Sequence, residues 1–248
     1  CIRDRARGQK LTAFVLQGAT PAISLVVAKD RAVTWRGPQD LKGMKIGVTA
    51  PGSSTNMFVN ALLARGGLDH DDVSIIGVGT GQSAVAAMQA GHLDALANIE
   101  PAISMLVRGG KAVEKIETLS VQGARQLYGA ALPSGSLYTK RVFIRDNPQT
   151  VQALTDAMVR ALQWLAAASD EQVANRVPRY YLLGDRALYL AALKRQRPSY
   201  SKDGRIPPEA ASAMLQALAG FHEPISKRPI RLEETYTNRF VDAALSRQ

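Results

Sequence analysis

The sequence predicts a helix-rich α/β fold, and three observations support this prediction. Between residues 44 and 99, short apolar runs rich in β-branched residues alternate with helical stretches and glycine-containing loops. Beyond residue 147, apolar residues recur at helical spacing along most of the chain. The 248 residues are 46% hydrophobic and 21% charged, which is an ordinary globular composition with enough chain to bury a sizeable core.

The N-terminal part contains two predicted strands. The runs LTAFVL at 11–16 and ISLVVA at 23–28 are short, apolar and rich in β-branched residues, as expected of buried strands. A loop that contains Gly18 and Pro21 separates them. A polar, turn-rich connector at 35–43 then leads into a new unit.

The middle part shows a β-α-β-α-β succession. Its predicted strands are residues 44–49, 73–78 and 93–99. The helix after the first strand is expected to end at Gly66, and the shorter helix after the second strand at Gly91. Helical connections of this kind predict parallel strands joined by right-handed crossovers.

The C-terminal part is predicted to be mainly helical. An alternating run at 136–144 predicts one further strand. Asn147 is expected to be the N-cap of a long helix that has Pro148 at its first position. The remaining predicted helices are 170–183, 185–197, 207–221 and 233–245.

The formal net charge is +10, and it is unevenly distributed. Residues 38–128 hold 7 Lys or Arg and 8 Asp or Glu, so the basic excess lies outside this stretch. The basic residues are spread through helical sequence and do not form a dense run with interleaved aromatic residues. We interpret them as a solvated basic face and expect no nucleic-acid partner.

Cysteine and histidine usage gives little support for metal chemistry. Cys1 is the only cysteine, which excludes an internal disulfide and a cysteine-based metal cluster. It is either the lipid-modified first residue of a bacterial lipoprotein or an ordinary residue. We favour the second interpretation, because the residues after it look like the end of a helix and not like a flexible tether. The three histidines lack the spacing of a metal site, so no metal is expected.

The sequence contains no recognisable catalytic set. The GxSxG pattern is absent, and no histidine lies near a serine-rich loop. The adjacent acids Asp71 and Asp72, like Glu233 and Glu234, are typical of a solvated turn and a helix start. We therefore predict a binding protein that is not an enzyme and has no cofactor.

The most informative stretch is PGSSTN, Pro51–Asn56. It follows a predicted parallel strand and opens a helix, which is the edge of an α/β sheet where ligands bind. The helix start supplies backbone N–H donors and the positive end of a dipole, Gly52 permits close approach, and Ser53, Ser54 and Thr55 add hydroxyls. These features predict a site for a carboxylate, a sulfonate or a small oxyanion. The alternative is a simple N-cap serine in a βα turn.

Two further positions follow strands of the same unit. Glu100 comes after the third strand and could receive a ligand ammonium or hydroxyl, or it could be a surface acid before a helix that starts at Pro101. The loop 79–82 follows the second strand and could supply a second dipole contact, but we interpret it as a tight turn, because nothing chemically reactive accompanies it.

Several runs together resemble the solute-binding proteins of nitrate, sulfonate and taurine ABC importers. The strongest are DLKGMKIGVTAPGSSTN at 40–56, SAVAAMQAGHLDAL at 83–96 and IEPA at 99–102. NPQTVQAL at 147–154 and YTNRFVDAA at 236–244 support them. The combination is specific for the family and not for the ligand. Family members normally have further βα units before the position equivalent to Arg5, so the resemblance implies a chain that lacks its N-terminal start.

The resemblance implies a two-lobed, periplasmic-binding-protein-like fold of type II whose first lobe is incomplete at the N-terminus. The middle lobe would be 38–128, and the other lobe would combine 1–37 with 129–248. By position, the hydroxyl residues of 53–55 would be the anion-binding helix start. Thr20 would contact the ligand from the opposite lobe, and Glu100 would lie beside the cleft.

The implied function is that of the substrate-binding component of an ABC importer. It would bind a small anionic or zwitterionic solute, act as a periplasmic or extracytoplasmic monomer, and deliver the solute to a permease in the inner membrane. An alternative is the effector-sensing domain of a transcription regulator, which would require a helix-turn-helix upstream. A pyrimidine-precursor synthase of thiamine biosynthesis shares the scaffold but depends on a cysteine-rich motif, which a chain with only Cys1 lacks.

Overall fold

The computed structural model describes residues 2–182, 184–219 and 230–247, without the side chains of Arg3 and Ala6. Three predictions fall outside these residues: the role of Cys1, and the ends of two predicted helices at Leu183 and Phe221. None of the described helices is both long and apolar enough to cross a membrane.

Strands and helices alternate through the first half of the chain, and helices dominate the second half. The strands are β1 Leu11–Gly18, β2 Ser24–Ala28, β3 Lys45–Val48, β4 Ser74–Gly77, β5 Ala95–Asn98, β6 Ala112–Glu117 and β7 Ser134–Lys140. The α-helices are α1 Ile2–Ala6, α2 Ser54–Arg65, α3 Gln82–Gln89, α4 Ala102–Arg108, α5 Val121–Tyr128, α6 Arg141–Asp146, α7 Pro148–Ala167, α8 Asp170–Arg176, α9 Arg186–Gln196, α10 Pro208–Ala219 and α11 Arg239–Leu245.

The chain folds into two compact units. Unit 1 comprises 1–21, 124–169 and 199–248, and unit 2 comprises 22–123 and 170–198. These boundaries differ from the predicted middle lobe of 38–128 for two reasons. β2 pairs with β5 and β6, so the chain already belongs to unit 2 at Ala22. Later, α9 returns to pack against α4.

Unit 2 is built on a five-stranded sheet with the order β4-β3-β5-β2-β6. β3 is parallel to both β4 and β5, as the βαβ pattern predicts. β2 runs antiparallel to its neighbours, so its first residue, Ser24, lies opposite the last residues of β5 and β6, Asn98 and Glu117. β6 was not predicted, because its sequence AVEKIE has only three apolar residues among its six and carries charges at the others.

The core of unit 2 lies on both faces of this sheet. On one face, buried residues of α3 and α4 pack against Val26 of β2 and Leu96 of β5. On α2, the side chains of Phe58 and Leu62 are fully buried. Right-handed crossovers place α2 on the opposite face from α3 and α4, because β4 lies on one side of β3 and β5 on the other.

Unit 1 is built around the antiparallel pair of β1 and β7. Phe14 and Val15 of β1 form a core cluster with α7 and α11, in which Phe14 and the Phe240 ring meet edge to face at 6.4 Å. The predicted strand 136–144 is wrong over its last part, since β7 stops at Lys140 and α6 begins at Arg141. In this stretch the alternation of apolar residues did not distinguish a strand from the short helix α6, whose one buried residue is Ile144.

The start of α7 lies where the sequence predicted it, but its capping differs. Pro148 is the first helical residue and Asn147 is the N-cap residue. However, the Asn147 side chain makes no capping hydrogen bond and donates instead to the Phe143 carbonyl oxygen at 3.4 Å. Within α7, burial does not follow apolar character at every position. Leu154 is 48% exposed, whereas Thr155 is buried because its hydroxyl donates to a carbonyl oxygen of the preceding turn.

The predicted C-terminal helices are shorter in the structure. The predicted helix at 170–183 stops as α8 at Arg176, before Pro178, and continues only as a 3₁₀ turn at Arg179–Leu182. The predicted helix at 233–245 starts six residues later, at Arg239. Its first part is a 3₁₀ turn, Leu232–Glu234.

An ion pair joins the N-terminal and C-terminal segments of unit 1. Arg5 donates to the Glu234 carboxylate at 2.9 Å and also to its backbone carbonyl oxygen. The hydrogen bond from Arg5 holds the pKa of the Glu234 carboxyl below its usual range. A carboxyl group with a lowered folded-state pKa stabilises the fold above its unfolded pKa of about 4.3, and the effect is lost as the pH falls through the folded value.

We therefore expect Glu234→Gln to lower stability at neutral pH and to have no effect in acid. Urea unfolding of the wild type and of the variant, from about pH 7 down to the lowest pH at which both remain folded, measures the difference. A difference that persists unchanged at the lower pH would show that the carboxylate charge is not the cause.

Candidate functional site

The candidate site lies at the carboxyl edge of the sheet in unit 2. β3 and β5 are neighbours, and the connections after them, through α2 and α4, lead away in opposite directions across the sheet. Helices that leave two adjacent strands on opposite faces open a crevice outside the strand ends, which is the usual place for a ligand in such a sheet. Thr49 directly follows β3 and Asn98 is the last residue of β5, so both lie at the strand ends where such a crevice is expected, and Pro51–Asn56 follows Thr49.

The hydroxyl groups of Thr49, Ser53 and Thr55 form one network between the end of β3 and the start of α2. Ser53 is the N-cap residue, and its Oγ accepts from the Asn56 amide at 3.3 Å. The Thr49 hydroxyl donates to Ser53 Oγ at 3.0 Å, and Ser53 Oγ lies 2.8 Å from Thr55 Oγ1. Thr55 Oγ1 in turn accepts from the Thr49 amide at 2.9 Å. Ser53 and Thr55 are therefore held against the end of β3, and Thr55 is buried.

Gly52 and Asn56 shape the loop. Gly52 has a φ of 76°, in the left-handed region, and a Cβ there would meet nothing within 4 Å. Its amide donates to Asn56 Oδ1 at 2.8 Å, while Asn56 Nδ2 donates to Asn60 at 3.2 Å. The Asn56 side chain thus braces the loop, and Gly52 keeps the approach to the helix start open.

Two backbone amides at this helix start have no acceptor among the described residues. They belong to Ser54 and Thr55, the first two residues of the 12-residue helix α2. Ser54 itself is exposed. The first N–H groups of a helix point along its axis and carry the positive end of its dipole. The predicted ligand contacts of this loop stay predictions, and its two backbone amides are the donors that the described residues leave without an acceptor.

The Glu100 side chain is already paired within the protein. It is only 6% exposed, Oε1 accepts from Arg195 Nε at 2.7 Å, and Oε2 accepts from the Ser104 amide at 3.1 Å. Arg195 also donates to Glu114 at 2.6 Å. This geometry favours a structural role over the predicted ligand contact, because both oxygens of the Glu100 carboxylate are engaged.

Arg195 carries a perturbed pKa as a result. Its burial acts to lower the pKa of the guanidinium group, but the hydrogen bonds and charges of Glu114 and Glu100 outweigh that effect and hold the pKa above its usual value. The guanidinium is therefore a fixed cation that balances two carboxylates.

Thr20, the remaining predicted contact, lies in unit 1. The residue is 1% exposed there. Its predicted contact with a ligand stays a prediction.

Two polar residues of the sheet edge were missed from the sequence. Asn98 is fully buried, donates to the Gly79 carbonyl oxygen at 3.0 Å and accepts from the Ile99 amide at 2.9 Å. Ser24 is 1% exposed, and its hydroxyl has no hydrogen-bond partner within the part of the chain that the structure describes. A polar residue at the edge of an otherwise apolar strand was the available signal for both.

Comparison with known proteins identifies the family. The model of the NMT1-like family matches residues 8–177, more than half of the chain. The chain belongs to the NMT1-like family. The predicted membership of the solute-binding protein family of nitrate and sulfonate ABC importers is thereby confirmed, and so is the α/β, periplasmic-binding-protein-like fold.

Individual relatives agree with this assignment. A protein from Bordetella bronchiseptica RB50 is 42% identical with a TM-score of 0.92, over 99% of this chain and 77% of that chain. The alkanesulfonate-binding protein SsuA from Xanthomonas axonopodis pv. citri shares the fold, with a TM-score of 0.71 at 19% identity over 96% of this chain and 77% of that chain.

A curated relative gives a further match. The nitrate/nitrite binding protein NrtA of Nostoc sp. is 24% identical over 144 residues, which are 58% of this chain. The matched part of this chain spans only 31% of the length of that protein. The same fold also occurs in an enzyme, the desulfurization enzyme DSZB, with a TM-score of 0.58 at 17% identity over 96% of this chain and 80% of that chain.

Proposed function

We propose that this protein captures a small anionic or zwitterionic solute outside the cytoplasm and delivers it to an ABC permease in the inner membrane. The family is that of nitrate and sulfonate binding proteins of ABC importers. SsuA binds alkanesulfonates and NrtA binds nitrate and nitrite, so sulfonates, including taurine, and small inorganic anions are the candidate solutes. The same relationship supports a periplasmic location.

This proposal depends on one observation at the start of α2, which is that two of its backbone amides lack an acceptor. The Ser54 and Thr55 amides have no acceptor among the described residues, and they follow β3 at the sheet edge where the topology places a crevice between β3 and β5. An oxyanion can accept from both amides and gains from the helix dipole. Since Pro51–Asn56 contains no Lys or Arg, neutral donors would hold the anion at this loop.

Replacing Ser54 by proline tests the contribution of one amide. Proline lacks the N–H but is well tolerated at the first position of a helix, and Ser53, with φ −73° and ψ 174°, already has the extended backbone that a residue before proline requires. A hydrogen bond to a charged group contributes about 1.5–3 kcal/mol, so the Kd for the preferred anion should rise about 10- to 100-fold. Calorimetric titration measures it.

Ser54→Ala is the matched control. It keeps the amide and removes only the hydroxyl, so it should bind the anion within a few-fold of the wild type. An unchanged Kd in Ser54→Pro, with unfolding curves that match the wild type, would refute this helix start as the anion site. A first screen of sulfonates, nitrate and carboxylates by thermal shift identifies the anion for the titration.

A further inference from the structure

A groove in unit 1 is separate from the candidate anion site. It has a volume of about 1190 Å³ and lies between the start of β1, the chain around α6 and the segment 233–239. All of its lining residues belong to unit 1, so we call it the unit 1 groove. The charged residues that line it are the cations Lys10, Lys140, Arg141, Arg145 and Arg239 and the acids Glu233 and Glu234.

Backbone hydrogen bonds fix two sides of the unit 1 groove. Beside the last residue pair of β1 and β7, which includes Lys140, the Arg141 amide donates to the Lys10 carbonyl oxygen at 3.0 Å. In the C-terminal segment, the Thr237 amide donates to the Ala13 carbonyl oxygen at 2.9 Å. Because β1 holds both sides, the groove is formed before any partner binds.

Three cations of the groove lack a counter-charge within the described part of the chain. Lys10, Lys140 and Arg239 are exposed and have no ion-pair partner among the described residues. Of the two acids, Glu234 is engaged by arginines at 2.9 and 3.6 Å, and Glu233 is exposed and forms no ion pair with a described cation. The groove therefore keeps an excess of positive charge that an acidic partner would complement.

Apolar groups lie among these cations. Val142, the second residue of α6, lines the groove and is 49% exposed. Ile144 is buried and Tyr236 is half-buried, and both also line the groove. Tyrosine and arginine are enriched where proteins bind one another. This combination suits a peptide in which an apolar side chain lies between carboxylates.

A peptide segment fits the groove better than a small anion or a membrane does. A typical small-molecule pocket measures about 300–1000 Å³, whereas this groove is larger and is lined by three separate stretches of the chain. A flat bilayer does not reach between its walls to Ile144, which is only 6% exposed.

We infer that the unit 1 groove binds a short acidic segment of a partner protein, with an apolar side chain between its carboxylates. Clustered basic side chains recognise acidic motifs in many complexes. The inference is independent of the proposed function, since the candidate anion site belongs to unit 2.

A synthetic acidic peptide tests this inference. The probe is a fluorescent peptide of about 12 residues that repeats two glutamates and one leucine, and fluorescence anisotropy at neutral pH and about 50 mM salt gives its Kd. The same peptide with lysine in place of glutamate is the control. The glutamate peptide should bind saturably and at least about ten-fold more tightly than the lysine peptide. An acidic peptide that does not bind saturably would overturn the inference.

Reversing two charges of the groove should weaken peptide binding. In the double variant Lys10→Glu, Lys140→Glu, each substitution replaces an attraction by a repulsion, so the Kd should rise at least about ten-fold. Both side chains are exposed, and the melting temperature should stay near that of the wild type.

The double variant Lys29→Glu, Lys111→Glu is the matched control. These lysines are also exposed neighbours beside an antiparallel strand pair, because the Lys29 amide donates to the Lys111 carbonyl oxygen at 3.2 Å, but they belong to unit 2. The control changes the net charge by the same amount and should bind the peptide within a few-fold of the wild type. Equal losses in the two double variants would overturn a site in the groove and leave only a general attraction between charges.

Two other occupants of the groove would give different results. Vesicles of phosphatidylserine and phosphatidylcholine that sediment the wild type but not the Lys10→Glu, Lys140→Glu variant, while the peptide fails to bind, would assign the groove to a membrane surface. Self-association of the wild type in analytical ultracentrifugation that the same variant abolishes would assign it to a second copy of this chain. Either result would overturn the acidic segment as the occupant.

Val142→Ser tests the apolar contact separately. Val142 is half-exposed, so the variant should melt close to the wild type. The Kd of the leucine-containing peptide should rise several-fold, whereas a peptide with serine in place of leucine should bind the variant and the wild type equally. Equal binding of the leucine-containing peptide to both proteins would overturn the apolar part of the inference.

Discussion

Replacing Arg195 by leucine is expected to lower the free energy of unfolding by about 3 kcal/mol, at the lower end of the range for breaking a buried ion pair because the Arg195 side chain is 35% exposed. The change leaves the Glu100 carboxylate, which is 6% exposed, with a backbone amide as its remaining partner. It also removes the bond to Glu114 at 2.6 Å. Urea unfolding at neutral pH measures the loss.

Arg205→Leu is the matched control for this change. Arg205 also pairs with a carboxylate, that of Asp242 at 2.9 Å, but the two side chains are 50% and 55% exposed. Exposed pairs contribute about 0–1 kcal/mol, so this variant should be close to the wild type. Equal losses in both variants would contradict the assignment of Arg195 to a buried pair.

A double variant separates the charge from the packing of Arg195. In Arg195→Leu combined with Glu100→Gln, no charge remains at position 100, so the double variant should be more stable than Arg195→Leu alone. If instead the second substitution adds its own full loss, the stability comes from packing of the arginine and not from the pair.

The pair also matters for the site. Glu100 directly follows Asn98 and Ile99 at the end of β5, and Arg195 belongs to α9, which packs on α4. Anchoring the residues after β5 in this way fixes one side of the crevice. Arg195→Leu should therefore weaken anion binding in addition to stability, although Arg195 is not expected to touch the ligand.

The middle of the chain was predictable because its signals are local. β3, α2, β4, α3 and β5 each depend on a short apolar run and on glycines at their ends, and their order fixes parallel pairing. The start of α2 was predictable for the same reason, since a helix start after a strand supplies its donors through the backbone and needs no distant partner.

The remaining features depend on contacts between distant residues. Glu100 and Arg195 lie 95 positions apart, so nothing near Glu100 in the sequence indicates that its charge is balanced. Ser24 and Asn98 meet only through the antiparallel pairing of β2 with β5. β6 carries charged residues because it is the last strand in the order of the sheet, so local alternation did not identify it.

Phe58→Ala should have the largest effect on stability, a loss of about 3–5 kcal/mol, because it removes a fully buried aromatic ring and leaves a cavity. Phe58 lies one turn into α2. Together with Leu62 it packs this helix against the sheet. The first amides of the same helix form the candidate site. The variant should therefore also bind the anion more weakly, because a loosened helix no longer holds its amides in one orientation.

Phe143→Ala provides the comparison, since Phe143 is 39% exposed and its truncation should cost much less. Urea unfolding and anion titration of both variants, at a temperature where each remains folded, separate global stability from the positioning of the site. A Phe58→Ala protein that loses less than about 1 kcal/mol would show that the ring is not part of a packed core. If it loses stability as expected yet binds the anion as tightly as the wild type, the orientation of α2 does not depend on this contact.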